Sequence, residues 1–238
     1  MTKLATPVVS VPAASGALGR LLVIGGGGHA WVVTEAARAQ GWRVLGYFDD
    51  DESTSLGDKT PRLGPISGAA AATAPAAERG GPGDEDLPWA VIALGSLDLR
   101  ARLIQVLPGL YAVVRHPSAI VSPSARIGAG TFIGATAVVQ GRTQVGDHTI
   151  INTGAIVEHD CVIGINVHIA PGAKVGGGVR IGRDTLVGIG SSIRPGVKIG
   201  SGCTIGVGAA VVSDVPDNAR AIGVPARATH SWSDSDDS

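Results

Sequence analysis

The stretch Ile151-Asn152-Thr153-Gly154-Ala155-Ile156-Val157-Glu158-His159-Asp160-Cys161-Val162-Ile163-Gly164-Ile165-Asn166-Val167-His168-Ile169 decides the fold. It places Ile or Val at 151, 157, 163 and 169, one every six residues. Read outward, the spacing holds without a break from Val121 to Val211, sixteen positions in all. The residue four places after each is small or β-branched: Ala155, Cys161, Val167 and Ala173 within this stretch. A period of six fits neither the 3.6-residue helix nor the two-residue strand alternation. It is the hexapeptide repeat of a parallel β-helix. Each hexad supplies a short strand and a corner, and three hexads close a triangular coil. The Val/Ile side chain points inward and stacks on its counterpart in the next coil, while glycine relieves the corner. Sixteen hexads predict about five coils, stacked at about 4.8 Å, the ordinary strand spacing. The ends and flat faces of such a prism need covering.

Upstream the pattern is different. Leu21-Leu22-Val23-Ile24 reads as a strand, ended by four glycines, Gly25 to Gly28. Trp31 to Gln40 reads as a helix with Val32, Val33, Ala36 and Ala37 on one face, stopped by Gly41. Arg43–Phe48 and Ala90–Leu94 are further strands, and Leu99–Val106 is a helix. Alternation of this kind predicts a small Rossmann-like parallel sheet over 20–115, capping one end of a β-helix over 116–229. Residues 214–229 cover the other end. The segment 67–88 reads as helix remnant plus loop, and the acidic tail from Ser231 to Ser238 as loosely ordered.

Composition narrows the function classes. Only eight residues are aromatic (Trp 4, Tyr 2, Phe 2), so the core must be aliphatic. The formal net charge of −1 argues against a partner that is a nucleic acid. No run of 18 apolar residues exists, so no membrane-spanning helix is expected. Two cysteines, 42 positions apart, make neither a disulfide framework nor a zinc site, and no cluster has metal-ligand spacing. Leu21–Ile24 serves better as a first strand than as part of a signal peptide, which predicts a cytoplasmic chain.

Glycines before a helix are a place for phosphate, because backbone N–H groups at a helix N-terminus point outward. Gly25-x-Gly27-x-x-Ala30, followed by Asp49-Asp50, superficially matches a dinucleotide fingerprint. The unit has too few strands for a full dinucleotide fold, so a nucleotide-linked ligand is expected rather than a nicotinamide. His159 lies between Glu158 and Asp160, and one coil away in either direction stand Gly141 and Gly177. The ring should project freely from a coil, with carboxylates to set its tautomer and raise its basicity. The Gly177 amide is positioned to face a developing oxyanion. His168 follows nine residues later, half a coil on, and so points to another side of the prism. The two share a site only if a second subunit packs alongside, and three prisms about an axis is the natural closed arrangement. His148 reads as a solvated corner, His116 as structural, and Cys161 and Cys203 as buried and inert.

These residues resemble a known family. Gly25–Ala30, Phe48-Asp49-Asp50, Ala93-Leu94-Gly95, His116-Pro117-Ser118-Ala119, Glu158-His159-Asp160-Cys161, His168–Ala173 and Gly223-Val224-Pro225-Ala226 are similar to bacterial sugar-nucleotide acetyltransferases. That family holds bacillosamine- and perosamine-type N-acetyltransferases and sialic acid O-acetyltransferases. The resemblance covers about residues 20–227 and implies a left-handed β-helix. It implies His159 as general base with Asp160 behind it. It places the nucleotide-sugar on Gly27, Gly28, His29, Asp49, Asp50 and Gly95, and acetyl-CoA on His168 and near Ile189 and Val207. The acid after the histidine is Asp where the bacillosamine branch has Glu. The implied protein is a homotrimeric, metal-independent N-acetyltransferase of a nucleotide-linked amino sugar. The alternatives are O-acetylation of a sugar and a non-catalytic nucleotide-sugar-binding protein.

Overall fold

The computed structural model describes residues 18–73, 88–107 and 109–230. The acidic tail and residues 74–87 of the Ala/Gly-rich segment lie outside them. The C-terminal unit is the left-handed parallel β-helix that the hexads demand. Its three faces carry strands 18 residues apart, as in the series Ile133, Ile151, Ile169, Val187 and Ile205. Every hexad Val or Ile except Val121 is buried. The small slot also accepts threonine because its hydroxyl has a fixed partner. Thr143 Oγ1 donates to the Glu158 carbonyl at 2.7 Å and Thr149 Oγ1 to that of Gly164 at 2.9 Å. A buried hydroxyl without such a bond would be costly. Cys161 and Cys203 fill the same slot, and burial pushes both thiols up. Past the last hexad, Val215 bridges to Ile199, and the hairpin Ala219–Gly223 and Ala226–His230 extends one face.

The N-terminal unit is a four-stranded sheet of β1 (Arg20–Ile24), β2 (Arg43–Phe48), β3 (Arg62–Gly64) and β4 (Trp89–Ile92). Its order β3-β2-β1-β4, all parallel, is Rossmann-like. Helix α1 (Gly28–Gln40) begins three residues earlier than the sequence suggests, and the left-handed Gly41 ends it. Its inner face is Ala30, Val33, Ala36 and Ala37; Val32 points out instead, because it lies off that stripe. Helix α2 (Ala69–Thr73) and helix α3 (Leu97–Val106) complete the unit.

The unit does more than cap an end. It covers one flank of the prism. The face that begins with Val114–Arg115 and continues through Phe132 and Ile150 turns these outward side chains into a core shared with Val23, Ala30, Val33 and Val91. An end cap alone would leave that apolar row in water.

The inward ladder is the fold's main cohesive element. Ile169 sits in its centre and is fully buried. Ile169→Ala should destabilise the protein by about 2–5 kcal/mol, the usual cost of a cavity left by an isoleucine. Denaturant midpoints at constant slope would measure it, and an unchanged midpoint would contradict the stacking role.

Candidate active site

The site residues fall into two groups on one chain. The first is at the corner between the face of Ile156–Val157 and the face of Val162–Ile163. There Glu158-His159-Asp160 forms the turn, with Asp160 in the left-handed region at φ 60°. The His159 side chain is 61% exposed. Its Nδ1 lies 2.7 Å from Asp160 Oδ2. An ionised carboxylate accepts only, so Nδ1 carries the proton and Nε2 keeps its lone pair. Asp160 is ionised: Arg142, with His159, holds its carboxyl well below the usual carboxylate range. Arg142 reaches it through two bonds, Nε to Oδ1 at 2.6 Å and Nη2 to Oδ2 at 2.7 Å.

The ring leans toward the following coil. A Cβ built on Gly177 would stand 2.8 Å from His159 Cε1 and 2.9 Å from Nε2. Glycine is therefore required beneath the ring. The expected clearance at Gly141 is not used this way, since a Cβ there would meet Ser124 and Ser122. Among the described residues the Gly177 amide has no hydrogen-bond partner, whereas its neighbour Gly178 donates to the His159 carbonyl at 2.9 Å.

The second group lies where the N-terminal unit covers its flank. His168 is an outward residue of that flank, on a different face from the His159 corner. Asn152 Nδ2 donates to His168 Nε2 at 3.2 Å, and Asn152 Oδ1 accepts from the Thr153 amide at 2.8 Å, which fixes the amide's orientation. His29, in the first turn of α1, faces His168 at a ring separation of 6.3 Å and meets Phe132 edge-on at 5.5 Å. Sequence reasoning did not single out Asn152; only its place one coil before His168, just past the strand Ile150–Ile151 that pairs with it, marks it. The Gly95 backbone also touches the His168 ring. His168 thus stands with His29 and Gly95, while Ile189 and Val207 are exposed on the next corner of the same face.

In the glycine loop the positions of Gly27 and Gly28 face open space. Asp49 Oδ2 accepts from the Gly26 amide at 2.5 Å and Oδ1 from the Asp51 amide at 2.8 Å. Asp50 Oδ1 accepts from the Ile66 amide at 2.9 Å. Asp49 therefore shapes the glycine loop's backbone, while Asp50 holds the turn at Ile66.

A third cluster fixes the two units together. Arg100 on α3 is fully buried; Nη1 donates to the Leu94 carbonyl at 2.7 Å and Nη2 to that of Asn166 at 3.4 Å. Asn166 Nδ2 donates to the Leu97 carbonyl and to Asp184 Oδ1. His148, expected at a solvated corner, is instead buried and packs edge-on against Tyr111 at 4.5 Å. The docked unit covers that corner, which the repeat alone does not reveal. Burial, and then Arg100, lowers the His148 and His168 rings to about 4; His29 falls to about 4 through burial, then His168, then Arg100. No group of three or more His, Cys, Asp or Glu among the described residues is placed to hold a metal ion.

Comparison with known proteins follows the same division. Residues 20–107 match the PglD N-terminal domain family. Residues 178–212 match the bacterial transferase hexapeptide family, and 124–157 the hexapeptide repeat of succinyl-transferase. Curated protein sequences give no match. Among solved structures, PerB from Caulobacter crescentus, in complex with CoA and GDP-perosamine, is 37% identical with a TM-score of 0.79, covering 91% of this chain and 100% of that one. The acetyltransferase domain of PglB from Neisseria gonorrhoeae is 35% identical with a TM-score of 0.77, covering 88% and 99%.

The buried histidines predict a pH dependence of stability. Their folded values lie below the unfolded value of 6.5, so the unfolded chain binds more protons between pH 6.5 and about 4. Stability should therefore be full above pH 6.5 and fall as pH drops through that window. His148→Phe removes one such group while keeping the packing on Tyr111. Urea midpoints at pH 7 and pH 5 should differ less in this variant than in the parent; an equal difference would contradict the assignment.

Proposed function

The chain belongs to the family of bacillosamine- and perosamine-type nucleotide-sugar acetyltransferases, and from that premise we propose that it transfers acetyl from acetyl-CoA to the amino group of a nucleotide-linked 4-amino sugar. One observation on this chain carries the reading. His159 is exposed, tautomerically fixed by Asp160, and set over a glycine with its Nε2 free.

The reaction follows from that geometry. The neutral sugar amine attacks the thioester carbonyl, and its N–H proton passes to His159 Nε2. Asp160 stabilises the imidazolium that forms. The Gly177 amide donates to the tetrahedral oxyanion. Collapse expels the CoA thiolate, which takes the proton back from His159. The amide product and CoA leave.

The loop Gly27-Gly28-His29 with Gly95 is suited to the nucleotide-sugar. Its open glycine positions admit a phosphate at the start of α1. Asp49 acts there by holding the Gly26 amide, and Asp50 by fixing the turn at Ile66 beside it. Exposed Ile189 and Val207 offer an apolar edge to the pantetheine arm, and His168 closes the site beside His29. Since His159 and His168 stand on different faces, the reading requires a neighbouring prism, and a homotrimer with sites between subunits satisfies it. The two units are divided near residue 115. No helix among the described residues is long and apolar enough to cross a membrane, and both substrates are cytoplasmic metabolites, which supports a cytoplasmic enzyme.

Thiol release from acetyl-CoA, measured against 4-amino UDP-, GDP- and dTDP-sugars and free sialic acid, tests the reading. Turnover with a nucleotide amino sugar is expected; turnover only with sialic acid would convert it to O-acetylation, and no turnover would defeat it. His159→Asn should lose about 10²–10⁴-fold in kcat, the ordinary contribution of a general base. Gly177→Ala is the steric counterpart. Its Cβ must displace the ring, so kcat should fall at least about tenfold on the same scale with the thermal midpoint preserved. Wild-type kcat in either variant would remove the corner from the mechanism.

A further inference from the structure

The carboxylate behind His159 is not free to act alone. It is gripped from the preceding coil by Arg142, 18 residues earlier, at the equivalent place in its hexad. A vertical series runs along this corner. Ser124 Oγ accepts from the Arg142 amide at 3.1 Å, Arg142 clamps Asp160, and Asp160 holds His159. Arg142 also occupies a left-handed slot, φ 60°, that the next coil gives to Asp160 and the two after it to Gly178 and Gly196. A long L-residue is disfavoured there, and its side-chain contacts must offset the cost.

We propose that Arg142 is a positioning residue of the catalytic corner. Its fork fixes the Asp160 carboxylate in the orientation that turns His159 Nε2 outward. Its positive charge offsets that of the carboxylate that faces the imidazole. This deepens the general-base reading of His159 and rests on it. Among the described residues, the charged groups of this corner are Asp160, which bonds the ring, Glu158 beside it in the chain, and Arg142 from the coil before; the coil after presents Gly177 and Gly178. Arg142 is therefore the one cation in the set. Asp160 Oδ2 accepts from both the fork and His159 Nδ1, so the two donors share one oxygen. Loss of the guanidinium leaves a carboxylate that stabilises the imidazolium more strongly.

The test is histidine-selective NMR on the purified full-length protein, with His159→Asn used to assign the His159 resonance. In Arg142→Ala, the His159 titration midpoint should rise by about half a pH unit, the size expected for one screened charge at this range. Arg142→Gln, neutral but still a donor, should shift in the same direction and serves if the alanine variant does not fold. Arg142→Lys keeps the charge and loses the fork, so its midpoint should stay near wild type while kcat falls several-fold. The acid limb of kcat/KM should move with the midpoint. An unmoved midpoint in a folded neutral variant, or an equal rise in Arg142→Lys, would overturn the proposal. The general-base reading fails separately, through full turnover in His159→Asn; the NMR midpoint still decides Arg142 in that case.

Discussion

The 18-residue register of the coil is the constraint on which the rest depends. Inward Val and Ile can stack only if each coil returns to the same place, so residues 18 apart become neighbours at every corner and on every face. The aliphatic ladder sets this register through burial, and the register then dictates which polar groups meet. Asp160 stands on Arg142, His159 over Gly177, and Asp184 beneath Asn166, all by the same arithmetic. A one-residue slip would bury the outward charges and expose the core, which is why the pattern tolerates no break.

The molecule uses two environments for histidine. At the exposed corner the ring is accessible, and its tautomer is fixed by a carboxylate. At the docked flank, His29, His148 and His168 are held neutral by burial with Arg100 nearby. Neutral rings there present one donor and one acceptor in fixed positions, which suits recognition of a polar substrate. The buried guanidinium that adds to this effect also ties Leu94, next to Gly95, to Asn166 on the β-helix. Its own charge is held below the ordinary arginine value, at about 10, by burial. Docking of the two units buries these rings, and so sets the character of the flank site.

The β-helix was fully legible because its signal is local: each hexad states its own inward residue. The strand-glycine-helix start of the N-terminal unit was legible for the same reason. What stayed hidden depends on contacts between distant segments. Nothing in the hexads shows that Phe132 and Ile150 would be covered by α1, so the flank docking and the burial of His148 went unseen. Asp49 was read from its distance to the glycines, and the spacing could not show that its carboxylate bonds the Gly26 amide. His159 was legible because Glu, His and Asp are adjacent in the chain. Arg142 was missed, although subtracting 18 from 160 points to it as surely as adding 18 to 159 points to Gly177.

The left-handed slot of each corner shows how the fold accommodates chemistry. Glycine fills it in most coils, for example at 154, 172, 190 and 208 along one corner. Where another residue stands, it usually has a partner that the turn itself cannot supply. His148, Asn166 and Asp184 occupy the slots along the corner that meets Tyr111 and α3, and make the polar seam with the N-terminal unit. Arg142 and Asp160 occupy those at the corner that carries the His159 ring. Each such residue costs backbone energy that glycine would avoid, so these side chains must contribute more than they cost. Of the six in the hexads, five gather at two corners, one where the units join and one where the exposed histidine is held; the sixth, Thr136, opens the glycine corner. The strain of the solenoid is thus concentrated at the places where a repeating structure must stop repeating in order to bind or react.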